Sequence, residues 1–322
     1  MLGNFSYVRA TSVKEAVRHL SAENDRVHAG GTDLLGCLRD QVFGVDKVVS
    51  ISRVKDLRGI RETPEGLRIG ALTTVAEVAE NVLVKKRYQV LAQAASSVAS
   101  PQLRNQGTIG GNICQKPRCW YYRGEFHCLR KGGSLCYALA GENQFHCILG
   151  GGPCYIVHPS DIASALVALE ASVRIAGPKG VRTVPAERFH VMPSKDVHRE
   201  TILAHNEIVT DVIVPAAQQG FRSSYRKVRA RRSWDFAIAG LALSLRFSGG
   251  SITRARIVLT AAAPVPWRVR EVEELLVGNK IDGNTRLKAL DAVMKNARPL
   301  EKNGYKIPLF RGILEEELAA IA

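Results

Sequence analysis

Two glycine-rich loops and one acidic motif carry the most specific chemistry in the sequence. The first loop is Ala29-Gly30-Gly31-Thr32-Asp33-Leu34, set between an expected strand at 26–29 and an expected helix at 34–40. Glycines let backbone N–H groups approach a phosphate without interference from Cβ atoms, and Thr32 adds a hydroxyl donor. The second loop, from Arg104 through Gly107, Thr108, Gly110 and Gly111 to Asn112, has the same ingredients. Neither loop is a G-x-G-x-x-G opening a βαβ unit, and neither is a Walker loop, so a Rossmann nucleotide fold is not supported. Two separate loops of this kind could hold the two phosphates of one dinucleotide from opposite sides. The acidic motif is His158-Pro159-Ser160-Asp161. An acid beside a nucleotide site commonly takes ribose or ribitol hydroxyls, and the same residue can serve as a helix cap.

The second constellation is cysteine. Of seven cysteines, Cys114, Cys119, Cys128, Cys136, Cys147 and Cys154 fall within 41 residues, and only Cys37 stands apart. An odd count without an export signal argues against a disulfide framework. Zinc sites usually contain C-x2–4-C pairs, and only Cys114-x4-Cys119 qualifies. Thiolates spread over an irregular glycine-rich stretch suit a cubane cluster, which accepts ligands from varied directions. Arg118, Arg123, Arg130 and Lys131 lie among them and would ease the burial of an anionic cluster and raise its potential. Cys37 reads as a small buried hydrophobe and Cys114 as packing behind the second loop.

The elements around these motifs alternate helix and strand. Helices are expected at 13–20, 34–40, 74–86, 88–98 and 162–169, and strands at 26–29, 47–51, 66–70 and 208–214. The helix at 88–98 should stop at Ser100-Pro101. Residues 172–176 and 181–184 form a hairpin across Gly177-Pro178. From Phe221 the texture changes to long alternating or apolar segments at 222–228, 237–247 and 255–260, followed by helices at 268–277 and 284–296. The reading is α+β with two domains, 1–218 and 219–322, the first carrying a cysteine insertion at about 113–155.

Composition narrows the classes further. At 322 residues, 46% hydrophobic and 23% charged, the chain is an ordinary folded protein. No apolar run reaches the roughly 18 residues of a membrane span. The start, MLGNFSYVRATS, has neither an apolar h-region nor a twin arginine, so cytoplasmic residence is expected, with periplasmic co-export alongside a partner as the alternative. The net charge of +15 calls for an anionic partner. Nucleic acid fits poorly, because basic residues do not interleave with aromatics and no helix-turn-helix or zinc-finger spacing appears. An acidic subunit or an anionic cofactor fits the cluster Arg226, Lys227, Arg229, Arg231, Arg232 better.

The runs AGGTDLL, GLRIGALTT, RNQGTIGGNIC and HPSD, in this order, resemble the FAD-binding subunit of the xanthine dehydrogenase family of molybdenum hydroxylases. The run from Tyr225 to Asp235 is similar to the opening of that family's C-terminal flavoprotein domain. The resemblance spans nearly the whole chain. It implies a flavin fold of the vanillyl-alcohol-oxidase type (PCMH), then a CO-dehydrogenase-flavoprotein-type α+β domain. It makes Ala29, Gly30, Gly31, Thr32, Asp33 and Leu34 one side of an FAD cradle and Arg104, Thr108, Gly110, Gly111 and Asn112 the other. Asp161 would reach the ribityl side, with Lys227 near the flavin. The partners implied are a large molybdopterin subunit that does the substrate chemistry and a small subunit with two [2Fe–2S] clusters. Electrons would pass through FAD to an external acceptor, and no catalytic residue beyond the flavin is expected here.

Most flavin subunits of the family lack the cysteine insertion. The runs RCWYYRG, SLCYA and CYIVHPSD look like those of periplasmic-type aldehyde oxidoreductase and of 4-hydroxybenzoyl-CoA reductase, whose flavin subunits carry a [4Fe–4S] cluster. That resemblance implies Cys119, Cys128, Cys136 and Cys154 as ligands, with Cys147 as the runner-up. It favours aldehyde or N-heterocycle oxidation, with inward electron flow to a phenolic acyl-CoA as the alternative. Two other classes stand beside it: a binding module with structural zinc, and a stand-alone flavin oxidase.

Overall fold

In the computed structural model, which describes residues 2–232 and 234–322, the chain begins as a small parallel sheet. Strands β1 (Ser6–Arg9), β2 (Arg26–His28) and β3 (Lys47–Ser50) pair in the order β1-β3-β2. Parallel neighbours need crossovers, which run through the helices Val13–His19 and Leu34–Arg39. Ser12 starts the first of these by accepting a hydrogen bond from the Glu15 amide at 3.2 Å.

The second sheet is antiparallel. Strands β4 (Ile60–Thr63), β5 (Gly66–Gly70), β6 (Ser172–Gly177), β7 (Gly180–Pro185) and β8 (Ile208–Pro215) lie in the order β4-β5-β8-β6-β7. The expected hairpin across Gly177-Pro178 forms, with Ser172 opposite Pro185. Strand β4 was not anticipated; its two central residues are exposed, which leaves little apolar signal.

Helices fill the long connection from β5 to β6, and two of them differ from expectation. The single helix expected over 74–86 is broken at Asn81 into Val75–Glu80 and Val82–Arg87. Asn81 takes extended backbone and its side chain accepts from the Leu83 and Val84 amides, so it ends one helix by capping the next. The helix Gln89–Ser96 ends before Ser100-Pro101 as expected, but Pro101 then starts a further helix, Pro101–Gln106, with Ser100 as cap. Proline is favoured at that first position because its missing N–H would have no partner there.

The third sheet holds β9 (Phe221–Val228), β10 (Ala239–Ser248), β11 (Ser251–Thr260) and β12 (Trp267–Arg268), antiparallel in the order β12-β11-β10-β9. Both faces are buried. Tyr225, Ala242 and Val258 join the core under the helices Gln89–Ser96 and Asp161–Ala168. Leu241, Leu243, Leu245, Ile257 and Leu259 face the other way, toward the helices Arg270–Leu276, Gly283–Ala292 and Lys306–Ile321. Burial on both faces explains why 237–245 reads as one apolar run. The helix Lys306–Ile321, like β1 and β4, has no counterpart among the expected elements. Its core stripe is Phe310, Ile313, Leu314, Leu318 and Ile321. Among the described residues no helix is long and apolar enough to cross a membrane.

Candidate functional site

The two glycine loops touch. The Gln106 side chain donates to the Gly30 carbonyl at 3.1 Å, and a Cβ on Gly30 would stand 2.0 Å from the Gln106 carbonyl oxygen. Gly31 has φ +73, a conformation that glycine adopts without strain. The second loop is a tight turn into a short helix, Ile109–Ile113, with Thr108 as its cap. It is stitched to the turn after β5: the Val75 amide donates to Gly107, Ile109 to Thr73 and Gly110 to Ala71. Among the described residues, the N–H groups of Gly31, Thr32 and Asp33 have no protein acceptor.

These loops wall a cavity with two lobes that share Thr32, Asp33, Thr108 and Gly111. The smaller lobe runs along Ala29 to Leu34 and is closed by Val27, Phe43, Ile51, Leu203 and Val209. The larger, about 600 Å³, extends past Asn112 to Val98, Leu103, Trp234 and Phe236, with Arg118, Arg123, Asp161, Lys227 and Arg231 in its wall. Every expected cofactor residue therefore lines the cavity except Arg104. Its guanidinium donates to the Val98 carbonyl at 2.8 Å and lies outside the lining of both lobes. Ser233, inside the Tyr225 to Asp235 run, lies outside the described residues.

At the far end Asp161 begins the helix Asp161–Ala168, whose cap is Ser160. Ser160 also donates to the Asn112 side chain, tying the acid to the second loop. One Asp161 oxygen accepts from Lys227 Nζ at 2.7 Å and the other from the Tyr225 hydroxyl at 2.6 Å. Lys227 and Asp161 are both 4% exposed, so this is a buried ion pair. Burial, with the Asp161 charge beside it, holds the Tyr225 phenol well above its ordinary value, so it remains a donor.

Asp33 plays a part that its place in the first loop did not reveal. Its carboxylate accepts from the Lys116 amide at 2.7 Å and from Arg123 Nη2 at 2.7 Å, and it lies 2.9 Å from Arg118 Nη2. The side chain thus clamps the cysteine segment onto the first glycine loop. It also leaves two guanidinium groups beside the unspent N–H groups, so the local balance is positive. Arg118 and Arg123 are functional candidates that sequence reasoning placed with the cysteines only; a pairing across more than 80 residues leaves no local signal.

The cysteine segment carries little regular structure beyond the helix Trp120–Arg123 and two short 3-10 turns. Burial pushes the Cys119 thiol up to about 11, with the charges of Cys136 and Cys128 adding to it. Cys128 packs with Cys37, Val42 and Tyr122, and Cys119 and Tyr137 rest on that small core. Cys136 and Cys154 share a hydrogen bond, which holds Cys136 below and Cys154 above the ordinary thiol value. The four expected ligands are therefore neighbours. Cys147 is buried too, its thiol pushed up to about 12 by burial. Cys114 lines the smaller lobe of the flavin cavity. Among the described residues no three His, Cys, Asp or Glu side chains converge to hold a single metal ion. Arg130, buried, pairs with Glu200 and lies near Cys154, yet its Nε and Nη1 have no hydrogen-bond partner among the described residues.

Two touching glycine loops, the first with free N–H groups, beside a long cavity on this α+β frame suit a dinucleotide-binding chain. Comparison with known proteins identifies the family. Residues 3–217 match the FAD binding domain in molybdopterin dehydrogenase, and 223–319 match the CO dehydrogenase flavoprotein C-terminal domain. The chain belongs to the FAD-binding medium subunits of the molybdenum hydroxylases, the family of xanthine and CO dehydrogenases, and is an oxidoreductase subunit. It is 32% identical to the aldehyde oxidoreductase FAD-binding subunit PaoB of Escherichia coli (strain K12), over 98% of this chain and 97% of that one. It is 31% identical to the carbon monoxide dehydrogenase medium chain of Hydrogenophaga pseudoflava, over 92% and 88%. The solved carbon monoxide dehydrogenase of Hydrogenophaga pseudoflava superposes with a TM-score of 0.79 at 29% identity, covering 100% of this chain and 98% of that one.

Proposed function

We propose that this chain is the FAD- and [4Fe–4S]-carrying electron-transfer subunit of a heterotrimeric aldehyde oxidoreductase, passing electrons outward to an external acceptor. The observation that carries the flavin part is the pair of touching glycine loops, the first with unspent N–H groups, opening on a cavity that ends at a buried acid. The N–H groups of Gly31, Thr32 and Asp33 on one side, and the Thr108 to Asn112 turn on the other, would hold the diphosphate. Arg118 and Arg123 would offset its charge. Asp161, fixed by Tyr225 and Lys227, would accept from ribityl hydroxyls. When bound, FAD accepts two electrons and can release them together or singly.

Two features support the cluster part. Cys119, Cys128, Cys136 and Cys154 lie in one segment, Cys128 and Cys154 buried and Cys119 and Cys136 half-buried, close enough for the thiols to act on one another's protonation. The unpartnered N–H groups of Arg130 beside Cys154 suit an anionic group with sulfur acceptors. A bound [4Fe–4S] cluster would supply a one-electron centre near the flavin. The partners would be a large molybdopterin subunit and a small [2Fe–2S] subunit; the net charge of +15 suits an acidic neighbour. The similarity to the aldehyde oxidoreductase subunit supports the substrate class.

The test is anaerobic mixing of the intact complex with substrates. Bleaching of the flavin absorbance by an aldehyde, and its return on adding an acceptor, is the expected result. Flavin reduction by reduced ferredoxin but not by aldehydes would reverse the direction and favour phenolic acyl-CoA reduction.

A further inference from the structure

His146 stands beside the surplus Cys147, and neither has a part in the flavin cradle. Its imidazole reaches back into the cysteine region, where Nε2 lies 3.3 Å from Cys119 Sγ. The residue is buried, 4% exposed, and its ring packs against Trp120 and Tyr121 at 6.0 and 6.1 Å. It is held in place from the other domain. Asn303 and Lys306, both fully buried, donate to the His146 carbonyl at 3.1 and 3.0 Å, and Lys306 also grips the Phe145 and Ala261 carbonyls. The His146 amide is spent on the Asn143 carbonyl, and the Asn143 side chain accepts from the Lys302 amide. The backbone is thus fixed, and burial of the ring against Trp120 and Tyr121 limits its turning away from Cys119.

We infer that His146 is a hydrogen-bond donor to the Cys119 sulfur and that it raises the potential of the cluster held there. The inference rests on the cluster reading above. A cluster-bound cysteine sulfur carries no proton, so the one polarity of this contact that survives ligation is Nε2–H toward sulfur. Such a bond draws negative charge from the sulfur and favours the reduced, more anionic state. His146 is thus a positioning and tuning residue rather than a ligand, because four thiols already complete the set. Asn303 and Lys306 make the C-terminal domain the post on which it is mounted.

The experiment is a potentiometric titration of the purified heterotrimer followed by low-temperature electron paramagnetic resonance, on wild type, His146→Leu and His146→Gln. The expected result is a lower cluster potential in His146→Leu, approaching a tenfold change in the oxidised-to-reduced ratio, or 59 mV for a one-electron couple. His146→Gln, which keeps an N–H, restores most of it, and the flavin potential does not move. If His146→Leu loses the cluster while His146→Gln keeps it near the wild-type potential, the donor role also stands. A His146→Leu cluster at the wild-type potential overturns the inference, as does loss of the cluster in both variants, which would make His146 a ligand. Wild type without a [4Fe–4S] signal, the [2Fe–2S] signals of the small subunit being present, would instead bring down the cluster reading itself.

Discussion

Gly30→Ala should separate the two glycine loops and expel the flavin. The added Cβ would lie 2.0 Å from the Gln106 carbonyl oxygen, 2.9 Å from its carbon and 3.2 Å from Gly107 Cα. All three are backbone atoms and cannot rotate aside. They cannot retreat easily either, because the Gly107 amide is bonded to Leu103 at 2.7 Å and its carbonyl to the Val75 amide at 2.9 Å. Relief requires the loops to part by roughly 1 Å, and forcing extra atoms into a packed contact of this kind costs about 1–3 kcal/mol. If the cost falls on the closed, flavin-binding arrangement, FAD affinity drops roughly 5- to 140-fold. Fluorescence titration of FAD into deflavinated complex measures it. Gly44→Ala is the control, since a Cβ there meets nothing within 4 Å. Wild-type affinity in Gly30→Ala would refute the reasoning.

Three further outcomes follow from the same contacts. Lys227→Met leaves the Asp161 carboxylate buried with only Tyr225 as donor and should cost about 3–5 kcal/mol in denaturant unfolding, much of it regained when Asp161→Asn is added. Asp33→Asn frees Arg118 and Arg123 and should cost about 1.5–3 kcal/mol, with lower iron content as well as weaker flavin retention. The third concerns acid. Burial pushes His190 down to about 4 and His158 well below its ordinary value, and their rings meet edge to face with centroids 4.1 Å apart. Both are neutral in the fold, whereas the unfolded chain takes up protons below about pH 6.5. Their contribution is complete above pH 6.5 and is lost as pH falls toward 4. Melting curves across that window should fall, and His190→Asn should flatten the slope.

What the sequence made legible was local chemistry. Both glycine loops and the hairpin at Gly177-Pro178 are written in consecutive residues, and each sits where its residue types place it, while the helix cap in the acidic motif falls on Ser160 rather than on Asp161. The helix break at Asn81 was equally local, but an apolar periodicity running through it hid the cap. Pro308 masked the last helix. It falls in the first turn of Lys306–Ile321, where a missing N–H costs nothing. What could not be read were the long-range pairings. Nothing near Asp33 announces Arg118 and Arg123, and nothing near His146 announces Asn303 and Lys306. These contacts join the cysteine segment to both halves of the chain and give an irregular stretch a fixed shape without regular secondary structure.

The most direct test of the account is the cofactor content of the chain, purified anaerobically in its complex. FAD stoichiometric with the chain is expected, together with iron and acid-labile sulfide in equal amounts that fall when Cys119, Cys128, Cys136 or Cys154 is changed to Ser and not when Cys147 is. Zinc in place of this iron, or an iron content of the complex that none of the four substitutions lowers, would contradict it.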